Sequence, residues 1–216
     1  MTPLPSEAKG QTRTPENGEH FRGEYDVICI GASWGGLQAV GRVLNDIPKA
    51  VEQPIVLAQH RHPDSDDRAL PGLLGHQIDR PVREAEDKLA IERCNVYIAP
   101  ADYHLLVEHG SFALSIDDRV HYARPSIDVL FEMAADAYGA GVIGIILTGA
   151  NEDGANGLAR IKEVGGVAVV QDPEEAERRA MPDAAIAATV ADAVLPLGEI
   201  GKFVYGLCCA TKVPAT

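Results

Sequence analysis

Ser33, His60 and Asp153 are the residues of this sequence whose types could carry out acyl chemistry together. Ser33 lies in Gly31-Ala32-Ser33-Trp34-Gly35, a G-x-S-x-G pattern between an apolar run, Val27 to Ile30, and a helix-like run, Leu37 to Leu44. A short apolar run, then glycines, then a helical period reads as strand, tight turn and helix. In that setting the pattern is a nucleophile elbow, which lifts a serine hydroxyl out at the end of a strand. A glycine-rich strand-to-helix turn can also cradle an anion on its backbone N–H groups, and the pattern recurs by chance. The turn by itself leaves nucleophile, anion site and plain structural turn open. It is neither G-x-G-x-x-G nor a Walker loop, because no Gly-Lys-Ser/Thr follows.

His60 follows a second apolar run, Gln53 to Gln59. A histidine at the carboxyl end of a strand lies where open α/β sheets place their sites. His60 and His62 also have the H-x-H spacing of a metal pair, but two histidines without a third ligand make a weak metal case. Loop histidines are the commoner outcome. Asp153 lies in Thr148-Gly149-Ala150-Asn151-Glu152-Asp153-Gly154, between the strongly apolar run Gly141 to Leu147 and a helix expected from Leu158 to Val164. The ordinary reading of such a loop makes Asn151 or Asp153 the cap of that helix.

The three residues gain from being read as a set. Each follows a strand in a βα-type loop, and parallel strands bring such loops to one edge of a sheet. A serine needs a base to become a nucleophile at neutral pH, imidazole has a suitable pKa, and a carboxylate fixes its tautomer. The chain order is Ser, His, Asp. The α/β-hydrolases run Ser, acid, His, so the shared elbow does not carry that fold with it.

The remaining sequence supplies the elements. Residues 64 to 80 open with acidic N-cap candidates and suit a short helix. Pro81 to Ala85 and Val96 to Pro100 read as strands, and Leu105 to Glu108 with Ser111 to Ile116 as an antiparallel hairpin around His109-Gly110. His104, after a proline turn, suits a half-buried packing role better than a site. Ile127, Leu130, Phe131, Ala134 and Ala135 recur at helical spacing, with Pro125, Ser126 and Asp128 as start signals. Gly141 to Leu147 is apolar throughout and needs cover on both faces, as a central parallel strand does. Gly166 to Gln171 is a further strand. Met181-Pro182-Asp183 opens a helix to Ala191, Val194 to Leu197 is a short edge, and Glu199 to Leu207 is a last helix.

Composition limits the class. The 216 residues are 46% hydrophobic and 24% charged, ordinary for one globular domain with a substantial core. The formal net charge is −13, which argues against a nucleic-acid surface. No apolar run is long enough to span a bilayer, and the N-terminal stretch lacks the apolar core of a secretory signal, so the expected location is cytoplasmic, without membrane insertion. Residues 1–22, rich in Pro, Thr, Glu and Gly, read as a disordered tail or linker ahead of a domain over 23–210. Cys29, Cys94, Cys208 and Cys209 show no C-x-x-C spacing and read as buried or tail thiols rather than a disulfide or zinc set.

At this point the sequence resembles a known family. Ile30-Gly31-Ala32-Ser33-Trp34-Gly35-Gly36, Gln59-His60, Tyr97-Ile98-Ala99-Pro100, Arg124-Pro125-Ser126-Ile127-Asp128-Val129-Leu130-Phe131, Ile146-Leu147-Thr148-Gly149, Asp153-Gly154-Ala155 and Met181-Pro182 occur in the order and at the spacing of the catalytic domain of the chemotaxis receptor methylesterases, the CheB family. The likeness covers about residues 25 to 205. It implies a doubly wound, mainly parallel sheet with helices on both faces and a β-hairpin insert. It implies protein-glutamate methylesterase and protein-glutamine glutaminase activity on chemoreceptor cytoplasmic helices, with Ser33 as nucleophile, His60 as base and Asp153 as its orienting acid. No cofactor or metal is implied, and the backbone N–H groups of Trp34 and Ala150 become the oxyanion donors. His62 and His104 gain no role.

The sequence also departs from the family pattern. Trp34 stands where a small polar residue is usual, which points to a narrower mouth or to preference for a different substrate face. Ala150 replaces a residue that is usually methionine, and Asn151-Glu152 puts a charge beside Asp153. The receiver domain typical of the family does not fit into a 22-residue segment. A binding or regulatory module on the same fold, and a small-anion binder using the Ser33 and Asp153 loops, are the rival readings.

Overall fold

Val27, Ile28, Cys29 and Ile30 are all fully buried, so the first strand must be covered on both sides. In the computed structural model, which describes residues 25–62, 64 and 69–209, it lies near the middle of a seven-stranded parallel sheet. The chain order is β1 (Val27–Ala32), α1 (Gly36–Asp46), β2 (Ile55–Gln59), α2 (Ala69–Gly75), β3 (Val82–Glu84), β4 (Val96–Ile98), β5 (His104–Glu108), β6 (Ser111–Ser115), α3 (Ile127–Tyr138), β7 (Val142–Ile146), α4 (Ala155–Glu163), β8 (Val167–Gln171), α5 (Ala180–Ala188), β9 (Ala193–Leu195) and α6 (Leu197–Cys209). The spatial order is β3-β4-β2-β1-β7-β8-β9, and β5 with β6 forms a separate antiparallel hairpin. The expected tail over 1–22, the acidic start of α2 around residues 65–68 and the domain end at 210 lie outside the described residues.

Alternation along the strands divides the core in two. Val27 and Cys29 face a cluster with Leu130 and Phe131 of α3, Leu158 and Ile161 of α4, Met181 and Ala185 of α5, and Leu105 and Phe112 of the hairpin. Ile28 and Ile30 face Val40 and Val43 of α1, Leu74 of α2, and Ile200 and Val204 of α6. Helices thus cover both faces of a doubly wound sheet. Among the described residues no helix is long and apolar enough to cross a membrane.

The register brings the loops level. Ala32 pairs with Gln59 and Gly31 with Ile146, so β1, β2 and β7 end at one edge. The winding reverses between β1, which leads to β2, and β7, which leads to β8. Ligand crevices of open α/β sheets form outside such a switch point.

Some boundaries differ from the sequence reading. β2 starts at Ile55, not Gln53, because Pro54 has no N–H to give a ladder. α4 starts at Ala155, directly after Gly154. α5 starts at Ala180 with Met181 and Pro182 in its first turn, where proline lacks only an N–H that has no helical partner, but it ends at Ala188 rather than Ala191 because Thr189 is already extended. Cys29 and Cys208 are buried, and burial pushes the Cys208 thiol up to about 12. Cys94, in contrast, is exposed, so the buried-or-tail expectation fails there.

Candidate active site

The elbow begins where β1 ends. Gly35 has φ 76°, a left-handed backbone that side chains avoid, and it opens α1. Ser33 N–H donates to Thr148 O at 3.0 Å, while Ser33 O accepts from Gly36 N at 2.9 Å and from Gln59 Nε2 at 2.8 Å. The Gln59 amide also donates to His60 O at 3.1 Å. One buried side chain therefore ties the backbones of Ser33 and His60. Ser33 and His60 line a common cleft of about 390 Å³ with Leu37, Leu70, Leu73 and Glu177.

His60 Nε2 lies 2.7 Å from Asp153 Oδ2, and the ring is 13% exposed. Asp153 is completely buried. Its Oδ2 also accepts from Ile127 N at 2.8 Å, and its Oδ1 accepts from Ser126 Oγ at 2.8 Å and Asp128 N at 3.0 Å. Asp153 is not the cap of the helix that follows it. It turns back onto the first amides of α3, while the α4 N-cap, Gly154, makes no side-chain capping bond. Close approach is what permits this. A Cβ on Gly31 would meet Ile127 Cγ2 at 2.3 Å and one on Gly154 would meet it at 2.5 Å, so Ile127 fits a notch that only glycines leave.

Burial by itself would raise the pKa of Asp153. The His60 hydrogen bond and the Asp128 and Ile127 amides outweigh it and hold the carboxyl below the usual carboxylate range. An ionised carboxylate on Nε2 fixes a proton there, which leaves Nδ1 as the basic ring nitrogen.

Ser126, read as a helix cap, has a second task. It caps α3 by accepting from Val129 N at 3.3 Å and at the same time donates to Asp153. His104 is fully buried rather than half-buried. Its Nδ1 accepts from Ser126 N at 3.2 Å and its Nε2 meets Asp118 O at 3.0 Å, so it props Ser126 from behind. His62 stands apart, its Nδ1 accepting from Asp64 N at 3.2 Å on an exposed loop. Among the described residues no three His, Cys, Asp or Glu side chains gather in a metal-binding group.

Trp34 does not close the cleft of Ser33. Its indole is 58% exposed, donates to Glu177 Oε1 at 2.8 Å and lies under the Arg178 guanidinium, 5.3 Å from the ring centre. It lines a neighbouring hollow of about 700 Å³ with Ala150, and Glu177 borders both spaces. The Trp34 and Ala150 N–H groups have no acceptor among the described residues.

Sequence reading missed Gln59, the second task of Ser126 and the Glu177–Arg178 contacts. A polar residue at the last position of an apolar strand was the available signal for Gln59. Nothing in the sequence placed the β8–α5 loop beside Trp34.

A doubly wound α/β domain with a serine elbow, a histidine and a buried aspartate at the switch-point edge defines the class of this protein. Within that class, a family model described as CheB methylesterase matches residues 28–204. A Leptospira interrogans protein, provisionally named protein-glutamate methylesterase/protein-glutamine glutaminase, is 48% identical over 179 residues, 82% of this chain and 92% of that protein. The protein-glutamate methylesterase FrzG of Myxococcus xanthus is 39% identical over 178 residues, 82% of this chain and 53% of that protein. The crystal structure of the Thermotoga maritima CheB methylesterase catalytic domain superposes with a TM-score of 0.80 at 33% identity, over 85% of this chain and 98% of that one. The chain belongs to the CheB methylesterase family. It spans nearly all of the Leptospira protein and about half the length of FrzG.

Proposed function

We propose that this chain is a serine carboxylester hydrolase that demethylates glutamate γ-methyl esters on the cytoplasmic helices of chemoreceptors, working in the cytoplasm. Ser33 is the nucleophile, His60 the general base and Asp153 the acid that orients it. The observation that carries this reading is the 2.7 Å His60–Asp153 pair beside a serine elbow in one cleft. The methylesterase and glutaminase names of similar proteins support the substrate.

In this reading Asp153 keeps the proton on Nε2, and Nδ1 takes the proton of Ser33 Oγ as that oxygen attacks the ester carbonyl. The developing oxyanion is received by the Trp34 and Ala150 N–H groups. The bond to methoxide breaks, Nδ1 returns the proton, and methanol leaves. Water, activated by the same nitrogen, then splits the acyl-enzyme to free glutamate and Ser33. Deamidation of a receptor glutamine follows the same course with ammonia as the leaving group. No cofactor enters.

Methanol release from methylated receptor membranes tests the reading. Ser33→Ala is expected to lower kcat by about 10⁵–10⁶-fold with the fold intact. Equal release by both proteins removes Ser33 as nucleophile. Release by neither removes the substrate, and labelling of Ser33 by a serine-directed phosphonate then tells a competent site from an inert one.

A further inference from the structure

The segment between β6 and α3 carries a turn that the mechanism leaves unused. Val120 and Ala123 form an isolated antiparallel bridge, with Ala123 N donating to Val120 O at 2.8 Å and Val120 N to Ala123 O at 3.2 Å. The two residues between them, His121 and Tyr122, both have left-handed backbone, with φ of 48° and 62°. A two-residue turn of this hand is ordinarily Asn-Gly or Gly-Gly, because a Cβ crowds the neighbouring carbonyl oxygen. Strained backbone persists only where its surroundings hold it, and it gathers at functional sites.

The hold is visible here. His121 Nε2 lies 3.3 Å from Asp128 Oδ2, and its Nδ1 lies 3.4 Å from Glu152 Oε1. Arg119 and Arg124, on either side of the turn, both pair with Asp102 at 2.9 Å. Arg124 further donates to Ile116 O at 2.7 Å and Asp117 O at 3.0 Å. What this bracing presents is Tyr122, which is 95% exposed.

Tyr122 stands between two hollows, one of about 250 Å³ shared with His60 and one of about 360 Å³ shared with Asn151, Glu152 and Ala184. Pockets that enclose small molecules usually measure about 300–1,000 Å³, so one hollow is undersized and the other lies at the lower end, while a ring standing between both suits an extended polypeptide laid across them. An aromatic ring with a polar tip, held out on a braced turn and rimmed by charged pairs, is the type of side chain that anchors a protein partner.

We propose that Tyr122 anchors the polypeptide that carries the scissile group, on the His60 side of the cleft, and so favours a protein substrate over a small ester. His121 is its positioning residue. The inference rests on the esterase reading above and adds the surface by which the protein substrate is held.

The test compares kcat/KM for methanol release from methylated receptor membranes with kcat/KM for p-nitrophenyl acetate. Tyr122→Gly suits the left-handed backbone, so its melting temperature should stay within about 3 °C of the parent's. Its ratio of protein to small-ester turnover is expected to fall by about ten-fold or more, mainly through KM. Tyr122→Phe, which keeps the ring, restores most of that ratio. A Tyr122→Gly ratio within about two-fold of the parent's overturns the inference and leaves the esterase reading standing. Turnover of neither substrate by the parent protein removes both.

Discussion

Asp153 and Asp128 are two buried carboxylates at one helix junction, and they behave in opposite ways. Each reaches across to the other's helix. Asp153, which precedes α4, accepts from the first amides of α3, while Asp128, in the first turn of α3, accepts from Gly157 N in α4 at 2.7 Å. Both also face a histidine. Yet Asp153 is held below the usual carboxylate range, whereas Asp128 is raised, first by burial and further by the Asp153 charge. Donor supply is what differs. Asp153 has four donors at 2.7–3.0 Å, counting His60, Ser126 Oγ and two amides. Asp128 has one short donor, the Gly157 amide at 2.7 Å, with weaker support from the Gly154 amide and a longer approach to His121 at 3.3 Å. Position at a helix N-terminus is therefore not enough to hold a buried carboxyl below its usual range. The count of short donors decides it.

The largest break in this comparison is Asp153→Asn. The amide cannot accept on both sides, so it leaves donors of α3 unmatched and no longer fixes the His60 tautomer. We expect kcat to fall about 10⁴-fold, still less than the loss in Ser33→Ala, because the serine and its surroundings remain. Methanol release by the two variants, side by side, checks the order. Stability carries the same signature. Because the folded-state pKa of Asp153 is depressed, its contribution is present above the ordinary carboxylate range and is lost as pH falls through the folded value. Acid unfolding of the parent protein should therefore be steeper than that of Asp153→Asn.

Ser126→Ala is the intermediate case. It removes one of the four donors to Asp153 and the cap on Val129 N, but leaves both amides in place. A drop in kcat of about ten-fold is expected, with a loss of about 1–2 kcal/mol in unfolding free energy from the missing cap and hydrogen bond. Parent-like kcat together with the stability loss would mean that Ser126 serves the helix alone.

This junction also shows what a sequence can and cannot yield. The strands, helices and hairpin were legible because apolar runs and helical periods extend over many residues, and the edge that gathers Ser33, His60 and Asp153 follows from parallel connections. The Ser126–Asp153 bond was not legible. It joins residues 27 apart through a side chain whose local environment already explains it as a cap. Gln59 hid in the same way, as a polar end to an apolar strand. The His121–Tyr122 turn was invisible for a different reason. Its residue types argue against the backbone it adopts, and long-range contacts with Asp102, Asp128 and Glu152 brace it. Trp34 was legible as a departure but not in its effect, since the Glu177 and Arg178 side chains that draw it away from Ser33 come from a loop more than a hundred residues on.

Asp128→Asn gives the smallest effect and the sharpest reading of the comparison. Asn can still accept from Gly157 N through its oxygen, and its amide can donate to His121 Nε2. The folded-state pKa of Asp128 lies above its unfolded value, so its contribution to stability is full below the unfolded pKa and is lost as pH rises through the folded one. Above that window the native protein holds a poorly supplied charge beside Asp153. Replacing it with a neutral side chain should leave unfolding free energy at pH 8 equal to the parent's or higher by about 1 kcal/mol, with kcat within about three-fold. Denaturant unfolding of both proteins at pH 8 measures it. A loss of stability in Asp128→Asn would mean that this carboxylate, too, is held ionised by its surroundings, and the count of short donors would no longer explain the difference between the pair.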